Sequence, residues 1–420
     1  MQNNKNNYRF ALLIIGVLFF IFGFITWANS QLIPYLKEAC QLSDTESYLV
    51  GTAFFAAYFF MSIPSSYILS KAGYKNGMSI GLFVMSIGAF LFIPAAADRS
   101  YPLFLTGLFI IGTGLALLQT ASNPYVTVLG PIESAAQRIS IMGICNKLAG
   151  FIAVNTLGFL FLENIDAIEA SVKVASPEEA NIILQNLADK VIGPYKVIGT
   201  SFAVLGLLLL FIKLPEVKEE AESTTASIKS NSVFNHRNLM LGALAIFAYV
   251  GAEVISYDAF TNFGIEQGFT KAVASGFAKY TAITMLIGYL LSIVLIPKFI
   301  KQKPALIGST ILSILFLALA LLTKGYTSIV FFALLGLSQS AMWPTIWPLA
   351  LNGLGRHTKI GSAILVMMIV GGAVVMPLMG LLADAIDSKK LGFIIMIPCW
   401  LFILYYAMSG YKSKFIKEEG

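Results

Sequence analysis

Gln119 and Asn123 stand four residues apart in an otherwise apolar tract, GLALLQTASNPYVTVLGP at 114–131. Residues at that spacing share one face of a helix, so both carboxamides point the same way. Pro124 follows and loosens the backbone hydrogen bonding beside them. Unpaired polar groups cost several kcal/mol in hydrocarbon, so the two amides must face a partner, a cavity or a ligand. Trp27, Asn29, Ser30 and Gln31 interrupt a second apolar run. An aromatic face beside amides and hydroxyls suits a sugar, whose ring has an apolar face and a hydroxyl rim; hydrogen bonding between helices serves equally well. Gln339, Trp343 and Trp347 repeat every four residues, predicting one stripe that is either a sugar platform or a packed aromatic interface.

Ionisable groups inside a membrane are functional candidates, with structural pairing as the alternative. Asn146 and Lys147 enter an apolar run from the same loop as Gln119 and Asn123, and the four are expected to share a cavity. Asp258 and Lys279 lie at similar depth on neighbouring runs and are expected to form an ion pair. Glu253 lies deeper. It is a candidate proton acceptor, and structural hydrogen bonding is the equal alternative.

The elements that hold these residues follow from composition. Of 420 residues, 57% are hydrophobic and 12% charged, against about 45–50% and about 25% in soluble proteins. The chain reads as an all-α, multi-pass membrane protein, and its net charge of +6 belongs to loops rather than to nucleic-acid binding. Three separated cysteines suggest no disulfide framework. Two histidines, His236 and His357, both in basic loops, argue against a histidine relay or metal site in the membrane. No motif for catalysis or cofactor binding is present, so an enzyme is not expected. The first apolar run is too long for a signal-peptide core of about 7–15 residues.

Apolar windows of about 20 residues predict twelve spans. Six lie at 10–36, 47–70, 77–97, 101–129, 140–163 and 192–213, and six at 239–265, 272–296, 305–323, 326–352, 360–385 and 391–411. The polar stretch 214–237 reads as a cytoplasmic linker between an N-terminal half, 1–213, and a C-terminal half, 238–420. Residues 164–190 are amphipathic, and a PEEAN start at Pro177 predicts a short surface helix outside the membrane. Loops on the side of the termini carry about twice the Lys and Arg of the opposite loops, which places both termini in the cytoplasm.

The halves repeat at an offset of about 220 residues. Asn123-Pro124 falls on Trp343-Pro344, Arg138 on Lys359, Gly150 on Gly371, and Gly158 close to Gly380. Two parallel six-span halves are the arrangement of the major facilitator fold, with a substrate site near the midplane between them.

Four tracts carry a closer resemblance: FGFITWANSQLIPYLK at 22–37, LLQTASNPYVTVLGP at 117–131, YVGAEV at 249–254, and MWPTIWPLALNGLG with GGAVVMPLMGLLAD within 342–384. The sequence resembles the fucose/glucose/galactose permease branch of the major facilitator superfamily. That resemblance implies a monomeric carrier importing a monosaccharide across a bacterial inner membrane, often driven by protons. It also implies a titratable aspartate in span 1 and a glutamate in span 4, where this chain has Ser30 and Gln119. Coupling then falls to Glu253 or Lys147, or to another ion. The sugar cavity is expected to use Trp27, Asn29, Gln119, Asn123, Asn146, Gln339 and Trp343. Competing readings are a sugar facilitator or sodium-coupled symporter, a drug–proton antiporter of the same fold, and a non-transporting sugar sensor.

Overall fold

Each apolar window folds as a helix, because in hydrocarbon the backbone N–H and C=O groups find partners only within their own segment. In a computed structural model, every regular element among the described residues is helical. The described residues are 2–43, 46, 49–163, 165–212, 214, 232–274, 276–386 and 388–411. Most of the expected linker, 215–231, lies outside them.

Among the described residues, eleven segments are long and apolar enough to cross a membrane, and one of these, Leu49–Ala97, runs for 49 residues. One crossing needs about 20. The long segment is divided at Gly73, whose φ of 76° and ψ of 171° belong to a region that side-chain-bearing residues rarely enter. Its two arms supply two crossings, and the expected twelve are reached.

The helices that matter for the site are α1 (Gln2–Ala39), α2 (Leu49–Phe90), α3 (Tyr101–Val128), α4 (Ala135–Leu162), α5 (Ile165–Val174), α6 (Pro177–Asp189) and α7 (Ile192–Phe211). Later in the chain come α8 (Arg237–Asp258), α9 (Ala278–Leu295), α10 (Gln302–Leu322), α11 (Gly325–Gln339), α12 (Met342–Leu351), α13 (Thr358–Met367) and α14 (Gly371–Ala385). The chain divides into two compact units, Met1–Ser122 with Cys145–Pro215, and Asn123–Ile144 with Glu216–Gly420. The second unit takes in the turn between α3 and α4 through side-chain contacts. Gln302 donates to the Ile132 carbonyl at 2.6 Å, and Gln137 to that of Ile293 at 2.7 Å.

Within the first unit, small residues let backbones approach where lipid offers no hydrophobic drive. The second arm of α2 uses two faces. Ser79 and Ser86, seven residues apart, donate to the carbonyls of Gly206 and Gly199 on α7 at 2.6 and 2.7 Å. Gly81 and Gly88 face α3, where a Cβ would come within 2.8 Å of the Gly114 oxygen and 2.7 Å of the Gly107 oxygen.

The surface helix α6 begins as predicted at Pro177, with a complete capping box. Ser176 Oγ accepts from the Glu179 N–H, and Glu179 accepts from the Ser176 N–H at 3.0 Å. A second surface helix, α5, precedes it and was not expected. Three side chains tie α6 down: Tyr35 donates to the Ala188 carbonyl at 2.9 Å, Gln185 to that of Ala96 at 3.0 Å, and Arg99 to Asn181 at 2.5 Å.

In the second unit, Arg138 caps the end of α3. The last four carbonyls of a helix lack internal partners, and the guanidinium offers five donors in a planar fork. Arg138, 2% exposed, reaches the carbonyls of Val126 (2.8 Å), Thr127 (2.7 Å), Gly130 (3.2 Å) and Pro131 (3.1 Å) and the Ser134 hydroxyl (2.6 Å). Arg138→Ala is expected to lower stability by about 3 kcal/mol or more, since each hydrogen bond to a charged group contributes about 1.5–3 kcal/mol. Arg138→Lys recovers part of it, having charge without the fork. Thermal unfolding of the purified variants is the measurement, and an unchanged R138A midpoint removes the capping role.

The repeat has a packing counterpart. Gly150 on α4 packs against Trp27 of α1 in the first unit, and Gly371 at the start of α14 packs against the Phe247 backbone of α8 in the second. Trp27 and Phe247 are 220 residues apart and the two glycines 221, so the offsets agree within one residue. The histidines, separate in sequence, meet with ring centroids 5.6 Å apart. Burial, and then the neighbouring His357 ring, hold His236 below the ordinary imidazole value.

Candidate functional site

In the first unit the site is built around one turn of α1. Trp27 is half-buried, and its indole lies so close to α4 that a Cβ at Gly150 would come 2.7 Å from the indole nitrogen. Only glycine fits beneath the ring. Lys147, one turn earlier on α4, sets its ammonium 5.3 Å from the centroid of the same indole, a cation–π geometry. Asn146 reaches the Phe19 carbonyl at 3.4 Å. Gly23 makes this crossing possible, because a Cβ there would overlap the Asn146 carbonyl.

The other side of that turn leads to Gln119. Its amide Nε2 donates to the Tyr58 hydroxyl at 2.8 Å, and Tyr58 is in turn hydrogen-bonded to Thr26, the neighbour of Trp27. Gln119 retains 9% exposure, enough for its carboxamide to meet a ligand. Asn123, one turn further along α3, is 1% exposed, and its carbonyl accepts from the Thr127 hydroxyl at 2.9 Å. Asn29 lies on α1 with its side chain outside the described residues. The structure thus brings Trp27, Asn146 and Lys147 together and links Gln119 to the same turn through Tyr58. Of the four residues expected to share a cavity, Asn123 belongs to the second unit, and Gln119, Asn146 and Lys147 to the first.

In the second unit, the expected continuous stripe of Gln339, Trp343 and Trp347 is broken. α11 ends at Gln339 and α12 begins at Met342. Pro344 has no N–H to offer the carbonyl four residues back, and the helix ladder fails there. Gln339 turns into the bundle, fully buried, with its amide donating to the Ser256 hydroxyl on α8 at 2.8 Å. Trp343 and Trp347 stack, centroids 5.1 Å apart and 27° between planes. Trp347 is fully buried and belongs to the core, whereas Trp343 keeps an exposed edge.

Tyr249 lies beside that edge, its ring centroid 6.1 Å from that of Trp343. Its hydroxyl is hydrogen-bonded to the Glu253 carboxyl, one turn along α8, and to the Tyr289 hydroxyl on α9. Glu253 is half-buried. Tyr257, one further turn on, donates to the Met285 sulfur at 3.0 Å. The expected Asp258–Lys279 ion pair is not formed among the described residues. Both side chains are exposed, and the Lys279 ammonium instead sits 5.3 Å from the Tyr280 ring centroid.

The tyrosines are what residue spacing passed over. Tyr58, Tyr249 and Tyr289 each join a polar side chain to a second helix. Tyr249 and Glu253 are four apart, a signal present in the YVGAEV tract; Tyr58 and Tyr289 carry no such mark. Each unit presents an indole face with amides or hydroxyls near it, groups that suit a neutral polyol. No group of three or more metal-ligating side chains occurs among the described residues.

Comparison with known proteins agrees with this architecture. The family profile described as Major Facilitator Superfamily matches residues 15–369. A glucose/galactose transporter from Brucella abortus is 37% identical over 414 residues, covering 98% of this chain and 96% of that protein. The L-fucose-proton symporter of Escherichia coli is 31% identical over 410 residues, covering 96% and 93%. The crystal structure of the fucose:proton symporter FucP in an outward conformation superposes with a TM-score of 0.83 at 29% identity, covering 96% of this chain and 98% of that one. With twelve crossings, paired polar–aromatic clusters and these relatives, the chain belongs to the major facilitator superfamily and is a multi-pass membrane transporter.

Proposed function

We propose that this protein imports a neutral hexose-type monosaccharide across a bacterial inner membrane by alternating access, together with a proton. In this reading residues 1–213 and 238–420 are the two six-helix halves, 214–237 is the linker between them, both termini are cytoplasmic, and the carrier works as a monomer. The observation that carries the proposal is the Gln119 amide, nearly buried at membrane depth and held by Tyr58. A carboxamide both donates and accepts, which matches a sugar hydroxyl, and a hydrophobic drug cation would leave it unsatisfied. Trp27 and Trp343 supply indole faces for the apolar side of the ring. Asn29, Asn123 and Asn146 are assigned as further polar members of the binding surface, and Gln339, fully buried against Ser256, is left out of it. The activities for which the relatives are named, glucose/galactose and fucose–proton transport, support the same substrate class and ion.

The test is uptake of a labelled monosaccharide panel into proteoliposomes, with proton and sodium gradients imposed separately. The expected result is uptake of at least one hexose that an inward proton gradient accelerates and a protonophore abolishes. Acceleration by sodium alone would reassign the ion, uptake insensitive to both gradients would leave facilitated diffusion, and absence of sugar uptake would overturn the proposal.

A further inference from the structure

The carboxyl of Glu253 lies within a membrane-spanning helix and interacts with the phenols of Tyr249, Tyr257 and Tyr289. It sits on α8 with Tyr249 one turn before it and Tyr257 one turn after. Tyr249 bonds to it directly and also to Tyr289, which comes from α9. The other charged group on this stretch of α8, Asp258, is exposed at the helix end. From α12, Trp343 faces Tyr249, and its indole cannot ionise. α14 packs on another face of α8, through Val375 and the Gly371 backbone against Gly251.

We propose that Glu253 is the proton-binding site of this transporter; the assignment rests on the sugar–proton symport reading given above. A phenol hydroxyl donates to a carboxylate and accepts from a carboxylic acid. Rotation about one C–O bond therefore lets the Tyr249 hydroxyl satisfy Glu253 in either state. That is the property a carrier residue needs, because a group that can be paired in only one state is held in it. In the step itself, an O–H bond forms between the carboxylate and a proton delivered from water on the loading side. The same bond breaks to water on the other side, with no other change in bonding. Lys147, the other candidate, sets its ammonium 5.3 Å from the centroid of the Trp27 indole.

The arrangement also supplies the link to the sugar. Tyr249 is shared between the carboxyl and the ring of Trp343, so a sugar seated on the exposed edge of Trp343 changes the surroundings of the hydroxyl that holds Glu253.

The experiment measures sugar-dependent alkalinisation outside proteoliposomes containing the full chain, using a pH-sensitive dye, with labelled-sugar counterflow followed on the same preparation. In the wild type, addition of the transported sugar is expected to alkalinise the medium. In Glu253→Gln the proton signal should fall to that of empty liposomes; counterflow, which requires no net proton movement, shows whether the variant is folded. Proton movement retained in E253Q overturns the proposal. Where E253Q gives no counterflow, Tyr249→Phe decides: the carboxyl remains, and the pH midpoint of transport should move by about half a unit or more on losing one hydrogen-bond partner. An unmoved midpoint overturns the assignment. A wild type that moves sugar without any proton signal fails the symport reading itself, and that outcome is distinct from a retained signal in the variant.

Discussion

Replacement of Gln119 by alanine is expected to lower sugar uptake by about 10- to 100-fold, the equivalent of about 1–3 kcal/mol for a buried polar contact left unmade, while the protein still reaches the membrane. Two losses combine. The sugar loses a carboxamide, and the Tyr58 hydroxyl, fixed from one side by Gln119 at 2.8 Å, loses that partner. Tyr58 also bonds Thr26, beside Trp27, so the effect extends to the orientation of the indole. Initial rates of labelled-sugar uptake, normalised to the amount of protein in the membrane, measure it. Near-normal uptake would remove Gln119 from the binding surface.

The largest effect on folding is expected at Gly23. A methyl group there would overlap the Asn146 carbonyl, with the carbonyl carbon 2.6 Å away. The obstacle is backbone, which cannot swing aside as a side-chain tip does, so α1 and α4 must separate. Gly23→Ala should therefore cost about 3 kcal/mol or more, the upper end for overpacking. It should also displace Trp27 and Lys147 from each other. Gly193→Ala is the control, since a Cβ there meets nothing within 4 Å. The measurement is thermal unfolding of the two purified variants; a G23A midpoint as high as that of G193A would show that the helices can part cheaply.

The membrane spans were legible because hydrocarbon imposes one rule on every segment, and hydropathy records it. The start of α6 was legible for a different reason: Ser176, Pro177 and Glu179 hold their capping partners within three residues. What spacing could not reveal was which helix would stand opposite. The i,i+4 relation of Gln119 and Asn123 correctly put them on one helix, but Tyr58 comes from another. The same limit explains Asp258 and Lys279, whose depths agree and whose directions do not. The stripe at Gln339, Trp343 and Trp347 failed locally. Helical periodicity was extended through Pro344, whose missing N–H ends one helix and begins the next, sending Gln339 to Ser256 and leaving Trp343 as the partly exposed indole.

The anchoring of α6 has a practical consequence. Tyr35, Gln185 and Arg99 fasten this polar helix to the ends of α1 and of the segment closing at Ala97, all within the first unit. The helix is therefore a handle fixed to that unit. A fluorophore placed on its solvent face, or an antibody fragment raised against it, would report the movement of that unit through the transport cycle without touching any residue proposed to bind sugar or proton.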